Sequence, residues 1–570
     1  MLNEGSTESR VLTRLCEIVV PGSAAIGPDA YVRRLAGGMT DREESELRAA
    51  IGLLGQSLDQ GLAGLSGSSA FALIRRLAIE AYYGDFQAPG SPGPSGHQAI
   101  GFRTPQTDRL RKDWSFLGAA PAKTPELPKQ ADVVVVGSGA GGGLIAAELG
   151  GRGFEVLLLE AGELHSAADH SRFELAARHE LWWPARFARS DAGPIALLAG
   201  RCVGGSTVIN TKVAMRAADF ERAAFPFDLD PWYEWAEQRL GVRERTDWTP
   251  SVHTVRKGFE SLGAALRPVR SYTDHNCWRC GACLQGCPTN AGKSALNTFI
   301  APALGRGEIT LRTGTTVERV LIEDGTAIGV VAGGQKVRAR AVVLAAGSLN
   351  TPQILLNSPG LPGTERIGHT LGLHPARLVY GRFDEPQDCH RVYPITAHCL
   401  DHQRDFLVEA TTIQDPVSFA ESLVEAGGRP IWGARLAALT ADYRYWAGLL
   451  VMATDDNTGV ITIDPTGTAD ISKSFTATER SRLDAGLSFA VEVLKAAGAR
   501  EVVWTGLSTS HVQGTVPIGR AASPEGRVQD VAGLYVGDGS LIPISLSVNP
   551  SLTIMALAAK VAGHVAEELK

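Results

Sequence analysis

Hydrophobic residues near the start of the chain recur at intervals of three and four residues. This spacing runs through residues 8–85, as in SRVLTRLCEIVV (9–20), and it predicts amphipathic helices. A segment rich in Gly, Pro and Ser (87–98) interrupts the pattern, and a second irregular stretch follows it. We therefore expect an N-terminal helical domain over residues 1–117 and a linker over residues 118–130.

The pattern changes at residue 131, where two apolar runs are separated by glycines and a helical segment. The first run, Val133–Val136, is typical of a buried parallel strand. Gly137, Gly139 and Gly142 then form G-x-G-x-x-G, a turn that lets the backbone approach a pyrophosphate at a helix N-terminus. Glu160 ends the second run, where an acidic side chain accepts hydrogen bonds from a ribose. This segment predicts dinucleotide binding.

Strands that could extend the same sheet occur much later in the chain. Residues 305–350 alternate apolar and polar positions between turn signals, and they end in a buried strand and a helix start. The C-terminal residues 531–569 follow the order strand, loop, helix. Asp538 comes just after that strand, and Asn549 precedes the Pro-Ser that opens the helix. A dinucleotide domain interrupted by insertions accounts for this order.

Three further segments carry glycine-rich and polar motifs. They are GRCVGGSTVIN (200–210), AAGSLNTPQILLNSPG (345–360) and SHVQGTVPIG (510–519), and LYVGDGSLIP and Asn-Pro follow the last one. Together with the first glycine motif, their order resembles the glucose–methanol–choline (GMC) family of flavoprotein oxidoreductases. The resemblance is nearest to the branch of long-chain alcohol oxidases and bacterial FAD-dependent dehydrogenases.

The resemblance implies a mixed α/β and α+β fold with two interleaved domains. An FAD-binding, Rossmann-like domain would comprise residues 131–214, 301–364 and 506–570. A substrate domain built on an antiparallel sheet, which includes the cysteine-rich segment, would comprise residues 215–300 and 365–505.

FAD is the cofactor that the resemblance implies, and we expect it to be bound non-covalently. Some relatives attach FAD through a His just after the second glycine motif, and no His follows that motif here. The positions that match the family's FAD contacts are Gly137, Gly139, Gly142, Glu160, Gly204, Gly205, Ser206, Asn210, Val317 and Asp538.

His511 and Asn549 match the family's catalytic pair. An imidazole suits the removal of a hydroxyl proton because its ordinary pKa lies near neutrality. An amide can fix the substrate oxygen as negative charge develops, and the flavin N5 would take the hydride. His374 lies where relatives have a His-Pro near the flavin, and we expect it to support the pair. The alternative is a non-oxidative lyase on the same scaffold.

Composition adds few constraints. The chain has 570 residues and a net charge of −6, which gives no reason to expect nucleic-acid binding. We find no secretory signal and no apolar run of about 18 residues, so we expect a cytoplasmic protein, peripheral to a membrane at most. The expected partners are an alcohol (lipid, sterol, sugar or glycoside) and an electron acceptor (a protein, a quinone or oxygen).

Four of the eight cysteines lie within eleven residues, as C-x2-C-x2-C-x3-C-P. Bacterial ferredoxins hold an iron–sulfur cluster with this spacing. Cys277, Cys280, Cys283 and Cys287 are therefore candidate ligands of a [4Fe–4S] or [3Fe–4S] cluster through which electrons leave the flavin. A zinc or disulfide staple and an unoccupied loop are the alternatives. With a purely structural cysteine segment, the enzyme would be an oxygen-dependent long-chain alcohol oxidase.

Overall fold

A computed structural model describes residues 3–59, 61–102, 114, 117, 125–170, 173–184 and 186–570. Most of the expected linker therefore lies outside the described residues. The helices are α1 (Thr7–Val19), α2 (Pro28–Ala36), α3 (Asp41–Gln56), α4 (Ser69–Tyr83), α5 (Gly96–Ala99), α6 (Gly142–Gly150), α7 (Glu174–Leu181), α8 (Asp219–Arg222), α9 (Asp230–Leu240), α10 (Pro250–Ser261), α11 (Ala301–Gly305), α12 (Asn350–Leu356), α13 (Pro416–Ser422), α14 (Gly433–Ala441), α15 (Ala477–Ala496) and α16 (Ser551–Glu568).

The strands alternate with these helices along the chain. They are β1 (Gln130–Val136), β2 (Val156–Leu159), β3 (Arg186–Ser190), β4 (Ile195–Leu197), β5 (Arg243–Glu244), β6 (Arg267–Pro268), β7 (Arg270–Ser271), β8 (Ile309–Arg312), β9 (Val317–Glu323), β10 (Thr326–Ala332), β11 (Gln335–Leu344), β12 (Ala376–Arg382), β13 (Ile395–Cys399), β14 (Phe406–Thr411), β15 (Leu423–Val424), β16 (Trp446–Ala453), β17 (Gly459–Ile463), β18 (Ala469–Lys473), β19 (Glu501–Thr505), β20 (Ser508–Thr509) and β21 (Leu534–Val536).

The first sheet joins strands that are far apart in sequence. Its order is β8-β2-β1-β11-β10-β9, with β21 beside β11. β1 pairs in parallel with β2 and β11, and β11 pairs in parallel with β21. The carboxyl ends of these four strands therefore meet at one edge of the sheet, which is where ligands bind in open α/β sheets. The expected mixed fold class is confirmed.

The second sheet is mainly antiparallel and contains twelve strands. β12, β16, β14 and β13 form its centre, and α10 and α15 cover one face. β3 and β4 belong to this sheet, although they fall within the segment 131–214 that we assigned to the FAD domain. The division into domains therefore stays a prediction.

The N-terminal helices share a hydrophobic core with the segment around β12 to β16. Leu15, Phe71 and Leu77 lie in one buried cluster with Phe419 and Trp446. Amphipathic helices of this length bury their apolar face only against a neighbour. Within the described part of the chain, no helix combines the length and apolar character needed to span a membrane.

Arg75 on α4 ties the N-terminal helices to the end of α13. Its guanidinium donates to the carbonyls of Ala420, Glu421 and Ile431 at 2.8, 3.0 and 3.0 Å. Burial lowers the pKa of Arg75 to about 10. We expect R75M to lower the free energy of unfolding by about 3 kcal/mol, because it leaves buried carbonyls without donors. Urea denaturation measures this loss. R76M, which changes the exposed neighbour, should be nearly neutral; equal losses would refute the role of Arg75.

Candidate active site

At two of the three glycines after β1, the surrounding backbone leaves no room for a side chain. Gly137 has φ +91°, and a Cβ there would lie 2.4 Å from the Ala345 carbonyl oxygen. A Cβ on Gly142 would lie 1.9 Å from the Gly137 oxygen. By contrast, a Cβ on Gly139 would meet no atom within 4 Å. Gly137 and Gly142 are therefore needed to build the turn, whereas Gly139 leaves open space in front of the helix α6.

One cavity of about 900 Å³ begins at this turn and runs along the carboxyl edge of the first sheet to the second sheet. It has the size of a cofactor and substrate site. Ten of the twelve predicted cofactor and catalytic residues line it: Gly137, Gly139, Glu160, Gly205, Ser206, Asn210, Val317, Asp538, His511 and Asn549. Gly142 and Gly204 do not line it; they belong to the turns behind its wall.

Two buried carboxylates stand at the strand ends. Glu160 accepts hydrogen bonds from the Ser138 N–H and O–H at 3.0 and 2.6 Å, and from the Gly162 N–H at 2.8 Å. Asp538 accepts from the Gly347 N–H at 2.8 Å and from the Thr351 hydroxyl at 2.6 Å. Burial raises the pKa of both carboxyls, and these donors offset part of the rise. Each carboxylate retains lone pairs for a ligand hydroxyl.

The second glycine motif forms the wall opposite the first. Gly205 lies so close to the first turn that a Cβ would be 2.9 Å from Gly139 Cα. Ser206 Oγ accepts from the Gly200 N–H at 2.9 Å, and the Asn210 amide donates to the Tyr272 hydroxyl. These features fit FAD, the cofactor that the resemblance implies. They are a glycine-lined turn, an open helix N-terminus and two carboxylates around an elongated cavity.

Lys212 follows this motif and is a buried residue that sequence reasoning missed. Its ammonium is buried and donates to the carbonyl oxygens of Thr207 and Val208. Burial lowers its pKa to about 8, and the nearby Cys283 and Cys287 thiols act against that shift. The lysine thus links the second glycine motif to the cysteine-rich loop. A lysine in a loop ordinarily predicts an exposed side chain, so the sequence carried no signal.

His511 and His374 face one another at the far end of the cavity. Their Nδ1 atoms are 3.1 Å apart, which is hydrogen-bond distance. Burial lowers the pKa of His511 to about 4. It also lowers the pKa of His374 well below its usual value, and the charge of His511 adds to that effect. Both rings are therefore neutral at neutral pH, and His511 is in the form that accepts a proton.

Asn549 lies beside a buried acid on β14, Glu409, which sequence reasoning also missed. The Glu409 side chain is fully buried, and neither carboxyl oxygen has a hydrogen-bond partner within reach among the described residues. Burial raises the pKa of Glu409 to about 8, and the Asn549 amide acts against that shift. The Glu409 carboxyl group is therefore mostly protonated at neutral pH. The signal that could have found it is an acidic residue in the middle of the largely apolar strand FLVEAT.

We expect Glu409 to make stability depend on pH. Its pKa rises from 4.5 to about 8 on folding, so between these values the folded state holds a proton that the unfolded state has lost. Stability should therefore fall by about 1.4 kcal/mol per pH unit as the pH rises through this window. Chemical denaturation at several pH values should show this slope in the wild type and in E425Q, an exposed control, and not in E409Q. The same slope in E409Q would contradict the assignment.

The four clustered cysteines are free thiols that line one small cavity of about 20 Å³. Cys277 Sγ accepts from the Arg279 N–H at 3.4 Å, and Cys287 Sγ from the Gly292 N–H at 3.3 Å. Nevertheless, the described residues include no group of three or more His, Cys, Asp or Glu side chains placed to hold a metal ion. The geometry does not support the predicted cluster, which stays a prediction.

The part of the cavity beyond the two histidines is lined by the second sheet. The apolar side chains there are Leu378, Ile395, Leu450 and Met452, and the polar ones include Thr411, Thr412 and Gln414. Trp182, Trp183, Leu198 and Leu284 line it elsewhere, and Leu198 and Leu284 are partly exposed to solvent. This lining favours an apolar ligand, because polar ligands need hydrogen-bonding partners along their length.

Relatives of known sequence match most of the chain. An uncharacterized GMC-type oxidoreductase of Sinorhizobium fredii is 31% identical over 499 residues, which cover 77% of this chain and 95% of that protein. A long-chain-alcohol oxidase of Arabidopsis thaliana is 29% identical over 524 residues, covering 77% of this chain and 68% of the oxidase. A cholesterol oxidase of Acinetobacter baumannii is 24% identical over 535 residues, covering 76% of this chain and 94% of that oxidase.

A solved structure has the same fold. Pyridoxine 4-oxidase from Mesorbium loti superposes with a TM-score of 0.57 at 18% identity, covering 76% of this chain and 99% of that chain. Two family models described as GMC oxidoreductase match residues 131–376 and 453–558. These matches span more than half of the chain and confirm the resemblance stated from its motifs. The chain therefore belongs to the GMC family of oxidoreductases.

Proposed function

We propose that this protein is an FAD-dependent enzyme that oxidises the CH–OH group of an apolar alcohol to a carbonyl. Bound FAD supplies the hydride acceptor, its N5 atom, and we propose that it is held without a covalent bond. The observation that carries the proposal is one continuous cavity, which joins the glycine-lined turn to His511 and Asn549. The turn would hold the cofactor, and the two side chains would act on the alcohol.

His511 would accept the hydroxyl proton at its Nε2 atom. It suits this role because it is neutral and lines the cavity. Asn549, which also lines the cavity, would hold the substrate oxygen through its amide. Removal of the proton raises the electron density on the oxygen, and this favours departure of the hydride from the same carbon. Non-oxidative lyase chemistry would need no such alignment with a hydride acceptor.

We propose a long-chain alcohol or a sterol as the substrate class, rather than a sugar or a glycoside. The apolar side chains of the second sheet support this choice, and relatives are named as long-chain-alcohol oxidase and cholesterol oxidase. A sugar would place some of its hydroxyls against leucine, isoleucine and methionine side chains. Each hydroxyl left without a partner would cost free energy.

The test is anaerobic mixing of the FAD-loaded protein with 1-dodecanol, with cholesterol and, as a polar control, with D-glucose. We expect the absorption of the oxidised flavin to bleach with an apolar alcohol and not with glucose. Bleaching by glucose alone would overturn the substrate class. No bleaching by any of a wider panel of alcohols would overturn the oxidation itself and favour lyase chemistry.

The cysteine-rich loop bears on the identity of the electron acceptor. Its cavity adjoins Lys212, which bonds the carbonyls of the loop at the flavin. That proximity would let electrons leave the flavin through the loop only if the four cysteines hold a cluster. Protein purified without oxygen should contain about three or four irons per flavin if the cluster forms. Flavin without iron, together with oxygen consumption on addition of the alcohol, would favour the oxidase alternative.

A further inference from the structure

We infer that His374 is a positioning residue that fixes the tautomer of His511 and leaves its Nε2 atom free to accept the substrate proton. This inference rests on the proposed function of His511. It starts from the 3.1 Å distance between the two Nδ1 atoms. Two neutral imidazoles form a hydrogen bond there only if one Nδ1 carries a proton and the other has a lone pair.

The chemistry selects one of the two arrangements. His511 acts as a base through Nε2 only when that atom is unprotonated, so its proton must sit on Nδ1. His511 Nδ1–H then donates to His374 Nδ1, and the proton of His374 sits on Nε2. In this arrangement the buried Nε2–H of His374 has no acceptor among the described residues, which is a cost that the role of His511 as a base has to outweigh. The opposite arrangement would place the His511 proton on Nε2 and leave no base.

The backbone holds both rings in this arrangement. His374 has φ +47°, a left-handed conformation that a residue with a side chain rarely adopts, and Pro375 follows it. The Thr509 hydroxyl donates to the Leu373 carbonyl, and its oxygen accepts from the His511 N–H at 3.0 Å. One threonine therefore connects the backbones on which the two histidines are carried.

A buried ion pair supports the same backbone from behind. The Leu373 N–H donates to Asp455 at 3.0 Å, and Lys473 donates to Asp455 at 2.9 Å and to Glu479. These side chains are fully buried, so Asp455 remains paired whatever stands at position 374. A strained backbone at His374 and a buried ion pair at Leu373 thus hold the segment that carries the imidazole ring. Strain of this kind is typical of residues that support a catalytic group.

The proton count of the reaction is unchanged by this contact. The alcohol proton would pass to His511 Nε2, and bound FAD would supply the acceptor for the hydride with its two electrons. The imidazolium keeps its Nδ1–H, which continues to donate to the neutral His374. His374 thus stabilises the positive charge that forms on His511 without taking up a proton itself.

Two variants separate the hydrogen bond from the backbone strain. H374N keeps an acceptor near the Nδ1 position, and Asn tolerates the left-handed conformation. H374G tolerates it too but removes the acceptor. With 1-dodecanol as the probe, we expect H374G to slow anaerobic flavin reduction by about 100-fold with little change in the apparent affinity for the alcohol. H374N should stay within about threefold of the wild type.

The pH profile of flavin reduction gives a second readout. Without the acceptor, the imidazolium of His511 loses a stabilising contact and its pKa falls, so the acidic limb should move to lower pH in H374G and not in H374N. Equal rates in H374G and the wild type, or equal losses in both variants, would overturn the inference. If H511A itself reduces flavin at the wild-type rate, the proposed function fails instead.

A measurement on the unaltered protein covers the case in which a variant does not fold. Nitrogen NMR of protein labelled with [15N]histidine distinguishes the two tautomers, and comparison with H511Q assigns the signal of His511. We expect Nδ1 of His511 to be protonated and Nε2 to be unprotonated. The reverse assignment would refute the inference regardless of any activity.

Discussion

Replacing His511 with alanine should lower the rate of anaerobic flavin reduction by about 1,000-fold while FAD binding is retained. The loss follows from the removal of the proton acceptor at the end of the cavity, and general bases contribute rate factors of about this size. Stopped-flow spectroscopy with an alcohol that bleaches the wild-type flavin measures the rate. The flavin content and the melting temperature should stay near those of the wild type.

His253 offers a matched control for this experiment. It lies on α10 with its side chain exposed, so H253A removes an imidazole without touching the cavity. It should reduce flavin at the wild-type rate. A rate in H511A within about threefold of H253A would show that another group, or water, takes the proton.

The pKa of His511 predicts where activity declines in acid. Because burial lowers that pKa to about 4, the imidazole should remain the neutral base down to about that pH. The rate should therefore fall as the pH drops through about 4, not through the ordinary histidine value of 6.5. Buffers that keep the protein folded make this limb measurable, and a limb near 6.5 would indicate a solvated base.

Replacing Gly139 with alanine should weaken FAD binding by about 100-fold, or about 3 kcal/mol, without destabilising the protein that lacks FAD. The added methyl group meets no protein atom within 4 Å, so the folded chain has room for it. That room is the space in front of α6 which a pyrophosphate would occupy. Flavin fluorescence titration measures the affinity, and thermal unfolding of the apoprotein measures stability.

Two other glycines provide control variants for G139A. A methyl group on Gly142 would collide with the Gly137 carbonyl oxygen at 1.9 Å, so G142A should destabilise the apoprotein as well. Gly563 on α16 has no atom within 4 Å of the added position, so G563A should leave FAD binding unchanged and should not destabilise the apoprotein, since Ala favours a helix interior. If G139A bound FAD as tightly as G563A, the pyrophosphate could not lie against this turn.

The elements that the sequence predicted well are those in which local pattern and chemistry agree. A β-branched run, three glycines and a terminal acid predicted β1, its turn, α6 and β2 because each depends on residues close in the chain. The ordered motifs then indicated the family, which the comparisons confirm. The sheet that β3 and β4 join could not be predicted, because two short strands carry no signal for their pairing partners.

Only the tertiary structure decided the contacts between residues that are far apart in sequence. His374 and His511 are separated by 137 positions, and Arg75 reaches carbonyls more than 340 positions away. No periodicity records such pairs, since their geometry depends on how the two sheets and the N-terminal helices pack. The sequence by itself determined the glycine turn between β1 and α6, the family and the kinds of side chain available for chemistry. Packing decided their burial and partners, and therefore their protonation, because the cost of burying a charge depends on everything that surrounds it.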